Sequence, residues 1–147
     1  GGRYLESSAT VHDPRVSAAV LAAPWVGHDE ESGPIYAFGP GNRDLARVKI
    51  PVITLFGTSD NVTTASSILP ATRKLGGPSY VVELVDQPHV FEGGSWVDRD
   101  NWERLFFAAY LKDDPEALAA LATGRAMKGG NEDIQRFDYQ RLPAAAD

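Results

Sequence analysis

The sequence contains no cysteine, which removes disulfide frameworks, cysteine nucleophiles and thiolate zinc sites together and leaves the compartment open. Histidine is scarce, at three in 147 residues, and no two stand in an HxxxH pair, so no dedicated metal site is expected. Basic charge is the minority sign: 14 Lys and Arg against 20 Asp and Glu give a net charge of −6. Without a Lys/Arg cluster there is no face to neutralise a phosphate backbone, and nucleic acid is not an expected partner. The longest charge-free apolar stretch, Val16 to Gly27, contains Pro24 and is too short to span a bilayer. Gly1-Gly-Arg-Tyr-Leu-Glu6 has neither the basic n-region nor the apolar h-region of a signal peptide.

What is present is ordinary for a globular chain, 43% hydrophobic and 23% charged. At this size a folded chain buries roughly 70% of its unfolded surface, enough for a real core. Neither repeats nor linkers divide it, and residues 1–147 read as one domain or part of one.

Val16-Ser-Ala-Ala-Val-Leu-Ala-Ala23 places small or apolar residues on both parities, the pattern of a strand buried on two faces in a parallel sheet. Val52-Ile-Thr-Leu-Phe56 repeats it between Pro51 and Gly57. A third strand is expected at Tyr80-Val-Val-Glu-Leu-Val85, after the turn signal Gly76-Gly-Pro-Ser79. Between the second and third strands Ala65, Ile68, Leu69, Thr72 and Leu75 keep helical spacing, with Pro70 expected to kink or shorten the helix. This makes a β-α-β unit.

The strongest helix signal is Trp102, Leu105, Phe106, Ala109 and Tyr110, opened by a capping box at Ser95-Trp-Val-Asp98. Asp114-Pro115 supplies an N-cap and N1 proline for a short helix ending near Gly124. The tail from Arg125 is weakly periodic and is expected to wrap the surface. Pro24 to Val48 shows no sustained period, and a connection of that length is more often functional than idle. Three parallel strands leave two open edges, so further strands are expected on at least one flank, contributed from upstream of Gly1.

Gly57-Thr-Ser-Asp60 puts a carboxylate just past the second strand, and Asp86-Gln-Pro-His-Val-Phe91 puts His89 just past the third. In parallel α/β sheets that carboxyl-terminal edge is where sites are built. An Asp at that rim can orient an imidazole through Nδ1 and stabilise the imidazolium. Alone, Asp60 reads as a turn or cap residue, and His89 as a packed loop histidine; the pairing favours catalysis. Asp86 competes as the orienting acid. His12 and His28 read as surface or loop residues.

The order acid then base, each after a strand, resembles the α/β-hydrolases, and within them the dienelactone hydrolase and polyester hydrolase (cutinase-like) group. The matching pieces are Asp13-Pro-Arg-Val16 leading to Leu21-Ala-Ala-Pro-Trp25, then Ile50-Pro-Val-Ile53 to Gly57-Thr-Ser-Asp60, then His89, then Phe107-Ala-Ala-Tyr-Leu-Lys-Asp-Asp114. The resemblance implies the C-terminal half of a parallel-sheet α/β-hydrolase fold, with the N-terminal half supplied from elsewhere. It implies hydrolysis of small or polymeric carboxylic esters through an acyl-enzyme, with Asp60 and His89 catalytic and no metal or organic cofactor.

The GxSxG elbow of that family is absent. Gly1-Gly-Arg-Tyr-Leu5 is similar to the residues that follow the nucleophile in GxSxGG elbows, which would place the serine two residues before Gly1. Gly1-Gly2 also reads as a cloning scar. The usual oxyanion donors and the C-terminal disulfide of secreted polyester hydrolases are missing too, so the chain alone is expected to be inactive. The resemblance makes Trp25 a substrate-binding wall of the acyl pocket; composition alone makes it core. Two rival readings stand beside the hydrolase: a non-catalytic α/β binding or assembly module that recruits a partner through its open strand edge, and a Rossmann half, which lacks its GxGxxG.

Overall fold

The computed structural model describes residues 13–25, 40–92, 95–124 and 134–140. Three parallel strands, β1 (Ala19–Ala22), β2 (Val52–Gly57) and β3 (Ser79–Leu84), lie side by side in chain order. A 3-10 helix (Pro40–Arg47) precedes β2, and α1 (Ala65–Thr72) links β2 to β3. After β3 come α2 (Ser95–Leu111) and α3 (Pro115–Thr123). The architecture is α/β, a small parallel sheet flanked by helices.

Strand alternation divides the core in two. Ile53 and Leu55 of β2, with their register partners Tyr80 and Val82 of β3, pack against Trp102, Leu105, Phe106 and Ala109 of α2 and against Ala117 and Leu121 of α3. Val52, Phe56 and Val81 turn to the opposite side and meet Leu45, Ile68, Ala71 and Leu75 from the 3-10 helix and the α1 region. Every residue of β2 and β3 is buried, as two covered faces require. Each large side chain so buried contributes roughly 1.5–3 kcal/mol.

The helix ends follow local chemistry. The Asp114 carboxylate accepts from the amides of Glu116 and Ala117, Pro115 sits where no intrahelical amide is needed, and Gly124 closes α3 with φ 69°. Pro70 lies inside α1, and the helix stops at Thr72, short of the apolar spacing that runs on to Leu75. Ser95 is itself the first helical residue of α2 rather than a residue outside it. The strand at the first apolar run is shorter than the run, Ala19–Ala22, and its residues are half-buried or exposed.

One expectation is overturned. Part of the tail does not wrap the surface but forms β4 (Ile134–Gln140), antiparallel to β3, so the described sheet has four strands. Phe137 stands opposite Val82 and stacks on Trp102 at 5.8 Å between ring centroids. One open edge of the parallel sheet is thereby covered from within the chain. The segment from Pro24 to Val48 holds the 3-10 helix, in which Leu45 is buried; residues 26–39 lie outside the described residues, as do the elbow-like N-terminus, His12 and His28.

Candidate active site

The site forms where the loops after β2 and β3 are clamped together. Gly57 ends β2, and a Cβ there would overlap the backbone carbonyl of Gln87. Only a residue without a side chain lets the two loops approach this closely. The contact is tied by Thr58 N–H donating to Leu84 O (2.9 Å), Ser59 N–H to Gln87 O (3.1 Å) and Asp86 N–H to the Thr58 hydroxyl (2.9 Å). This brings Asp60 and His89 to the same rim of the sheet.

Asp60 Oδ1 accepts from the amides of Val62 and Thr63, both at 2.8 Å. Asp60 Oδ2 accepts from the Thr63 hydroxyl at 2.5 Å and lies 3.0 Å from His89 Nδ1. The Asp60 side chain is fully buried, whereas that of His89 is 38% exposed. Burial opposes ionisation of Asp60, but the Thr63 hydroxyl and amide, His89 and the Val62 amide together outweigh it and hold the carboxyl below its ordinary value. An ionised Asp60 offers Nδ1 only lone pairs, so the neutral ring carries its proton on Nδ1 and leaves Nε2 basic. Nε2 has no hydrogen-bond partner among the described residues.

The geometry decides between the two candidate acids. Asp86 is exposed with φ 56°, its amide is turned to Thr58, and Asp60 takes the ring nitrogen. Sequence reasoning missed two participants: Thr63, whose hydroxyl also lies 3.3 Å from His89 Nδ1, and Gly57 as the close-approach residue. Thr63 had a signal in the Asp-x-x-Thr spacing, which lets an Asp side chain cap amides two and three residues on. The approach of Gln87 to Gly57 joins two loops across a strand pair and leaves no local trace.

Trp25 follows β1 at the same rim, since Ala23 N–H donates to Leu55 O (2.7 Å) just before it. It is 47% exposed in this structure. Val62 and Val90, the near neighbours of Asp60 and His89 in sequence, are also exposed. Among the described residues no group of three His, Asp or Glu could hold a metal, and no helix is long and apolar enough to cross a membrane. No protein-family model matches the chain, and no curated protein matches its sequence.

Proposed function

We propose that this chain carries the acid and the base of a serine hydrolase acting on carboxylic esters, as the C-terminal portion of an α/β-hydrolase domain similar to the dienelactone hydrolase and polyester hydrolase group. The observation that supports the reading is the pair itself: a buried carboxylate 3.0 Å from Nδ1 of a half-exposed histidine, past the carboxyl ends of adjacent parallel strands. Nε2 of His89 takes the proton of a serine hydroxyl as its oxygen bonds to the ester carbonyl carbon. The tetrahedral intermediate collapses, the ester C–O bond breaks, and the imidazolium returns the proton to the leaving alkoxide. Water repeats the cycle on the acyl-enzyme. Asp60 stays ionised throughout and stabilises the imidazolium.

Thr63 supplies the one hydroxyl that reaches the ring among the described residues, and it does so on the Nδ1 side, so the nucleophile comes from outside them. Trp25, exposed past the end of β1 at the same rim, is the apolar surface this reading offers to the acyl group. The test is to express the chain from its complete reading frame and treat it with an alkyl fluorophosphonate. One serine should be labelled, and labelling should fall to background in His89→Ala. A folded protein that takes no label would instead favour a non-catalytic binding or assembly module.

A further inference from the structure

The Thr63 hydroxyl sits between the acid and the base, and its side chain cannot turn freely. The residue is 1% exposed, its amide donates to Asp60 Oδ1 at 2.8 Å, and its hydroxyl is 2.5 Å from Asp60 Oδ2 and 3.3 Å from His89 Nδ1. A hydroxyl has a single proton to give. The ionised carboxylate takes it, because a charged acceptor makes the stronger hydrogen bond and the distance is the shorter of the two. Toward His89 the hydroxyl therefore presents only lone pairs.

We propose that Thr63 is a positioning residue that locks His89 in its Nδ1–H form, by spending its own proton on Asp60 and then serving as a second acceptor for the ring N–H. The opposite orientation, with Thr63 donating to Nδ1, would place the ring proton on Nε2 and leave no lone pair for a nucleophile's proton. Asp60 thus acts on His89 twice, directly through Oδ2 and again by holding the hydroxyl in the orientation that agrees with it. The catalytic value of this lock rests on the hydrolase reading, whereas its geometry is a property of this chain alone.

Nitrogen-15 NMR of the imidazole reads the tautomer without any substrate. In the unaltered chain the neutral His89 ring should show a pyrrole-type Nδ1 and a pyridine-type Nε2. The Thr63 hydroxyl proton should exchange slowly and show a nuclear Overhauser contact to the Nδ1 proton. Thr63→Ser should keep both signatures. Thr63→Val, which keeps the shape and loses the hydroxyl, should raise the ratio of Nε2–H to Nδ1–H about tenfold, the change expected from one lost hydrogen bond beside a charge.

A folded Thr63→Val with an unchanged tautomer ratio overturns the proposal and leaves Thr63 a packing residue. So does an unaltered chain whose hydroxyl proton exchanges at the solvent rate, a result that needs no variant to fold. Absence of fluorophosphonate labelling with the NMR signatures intact would overturn the hydrolase reading alone.

Discussion

At the scale of single residues, Asp60 does two jobs with two oxygens. Oδ1 caps the turn that follows β2, through the amides of Val62 and Thr63, while Oδ2 holds the Thr63 hydroxyl and His89. The turn reading and the catalytic reading of this residue were therefore compatible from the start; the sequence showed the carboxylate but not that its two atoms face different partners. Because its carboxyl is held below the ordinary value, Asp60 stabilises the fold above the unfolded carboxyl's pKa of about 3.9, and that contribution is lost as pH falls through the lower folded value. Asp60→Asn keeps an oxygen for the two amides but turns an NH₂ toward Thr63 and Nδ1, so the charge-assisted bonds are lost and the hydroxyl and the ring tautomer must both reverse to accept from it. The variant should be less stable by about 1–3 kcal/mol at neutral pH. The deficit should shrink on acidification, since the wild-type chain loses its advantage while the amide does not titrate. Urea midpoints from neutral pH down to the acid limb check this, and a deficit that stays constant with pH would count against the ionised, stabilising Asp60.

At the scale of elements, the parts read most directly were those in which one local rule decides. An apolar run on both parities gave β2, a β-branched run after a turn signal gave β3, both nearly to the residue, the α2 stripe buries Trp102, Leu105, Phe106 and Ala109, and Asp114-Pro115 with Gly124 bounds α3. β4 was missed although Phe137 and Tyr139 alternate with Arg136 and Asp138, because that alternation is short and its meaning depends on an edge of β3 that sequence alone does not reveal. Phe137 is the anchor: it stacks on Trp102, lies 6.5 Å from the Tyr80 ring, and fills the space against which a Cβ on Gly124 would collide. Phe137→Ala should cost about 3 kcal/mol, near the lower end for loss of a large aromatic because the site is not fully buried. It should also raise hydrogen exchange in the β3 amides facing β4 more than in those facing β2. Equal protection along both sides of β3 would show that β4 docks without this ring. Gly57 belongs to the same scale, because it joins two loops rather than filling a space. Gly57→Ala must push Gln87 away, and if the proposed hydrolase takes the label a displacement of about 1 Å at His89 should lower fluorophosphonate labelling about 10²-fold. Labelling at the wild-type rate would mean that the loops can part without moving the pair.

At the scale of the whole molecule, the asymmetry of the sheet is the informative feature. β3 has neighbours on both sides, whereas β1 pairs only with β2 among the described residues, and its burial is correspondingly incomplete. The amides of Ala19 and Ala23 donate to Pro51 O and Leu55 O in the β2 direction, at 3.0 and 2.7 Å. With a period of two, the amides of Val20 and Ala22 therefore point away from β2, along the free edge. The apolar sequence Ala19-Val-Leu-Ala22 is suited to an interior strand, and it carries no lysine or proline of the kind that guards an edge. The net charge of −6 opposes self-association, but the Debye length is only about 8 Å at physiological salt, so the charge protects weakly against contact at an apolar edge. The chain on its own should therefore self-associate through β1, increasingly so as salt is raised. Ala22→Pro removes one outward amide at an exposed position without touching the bonds to β2, so it should return the chain to monomer with little change in thermal midpoint. Light scattering coupled to size exclusion, at low and high salt, reads both forms. A monomeric wild-type chain at high salt would mean that residues outside the described set already cover this edge, and the same variant should then destabilise the fold instead of dispersing an oligomer.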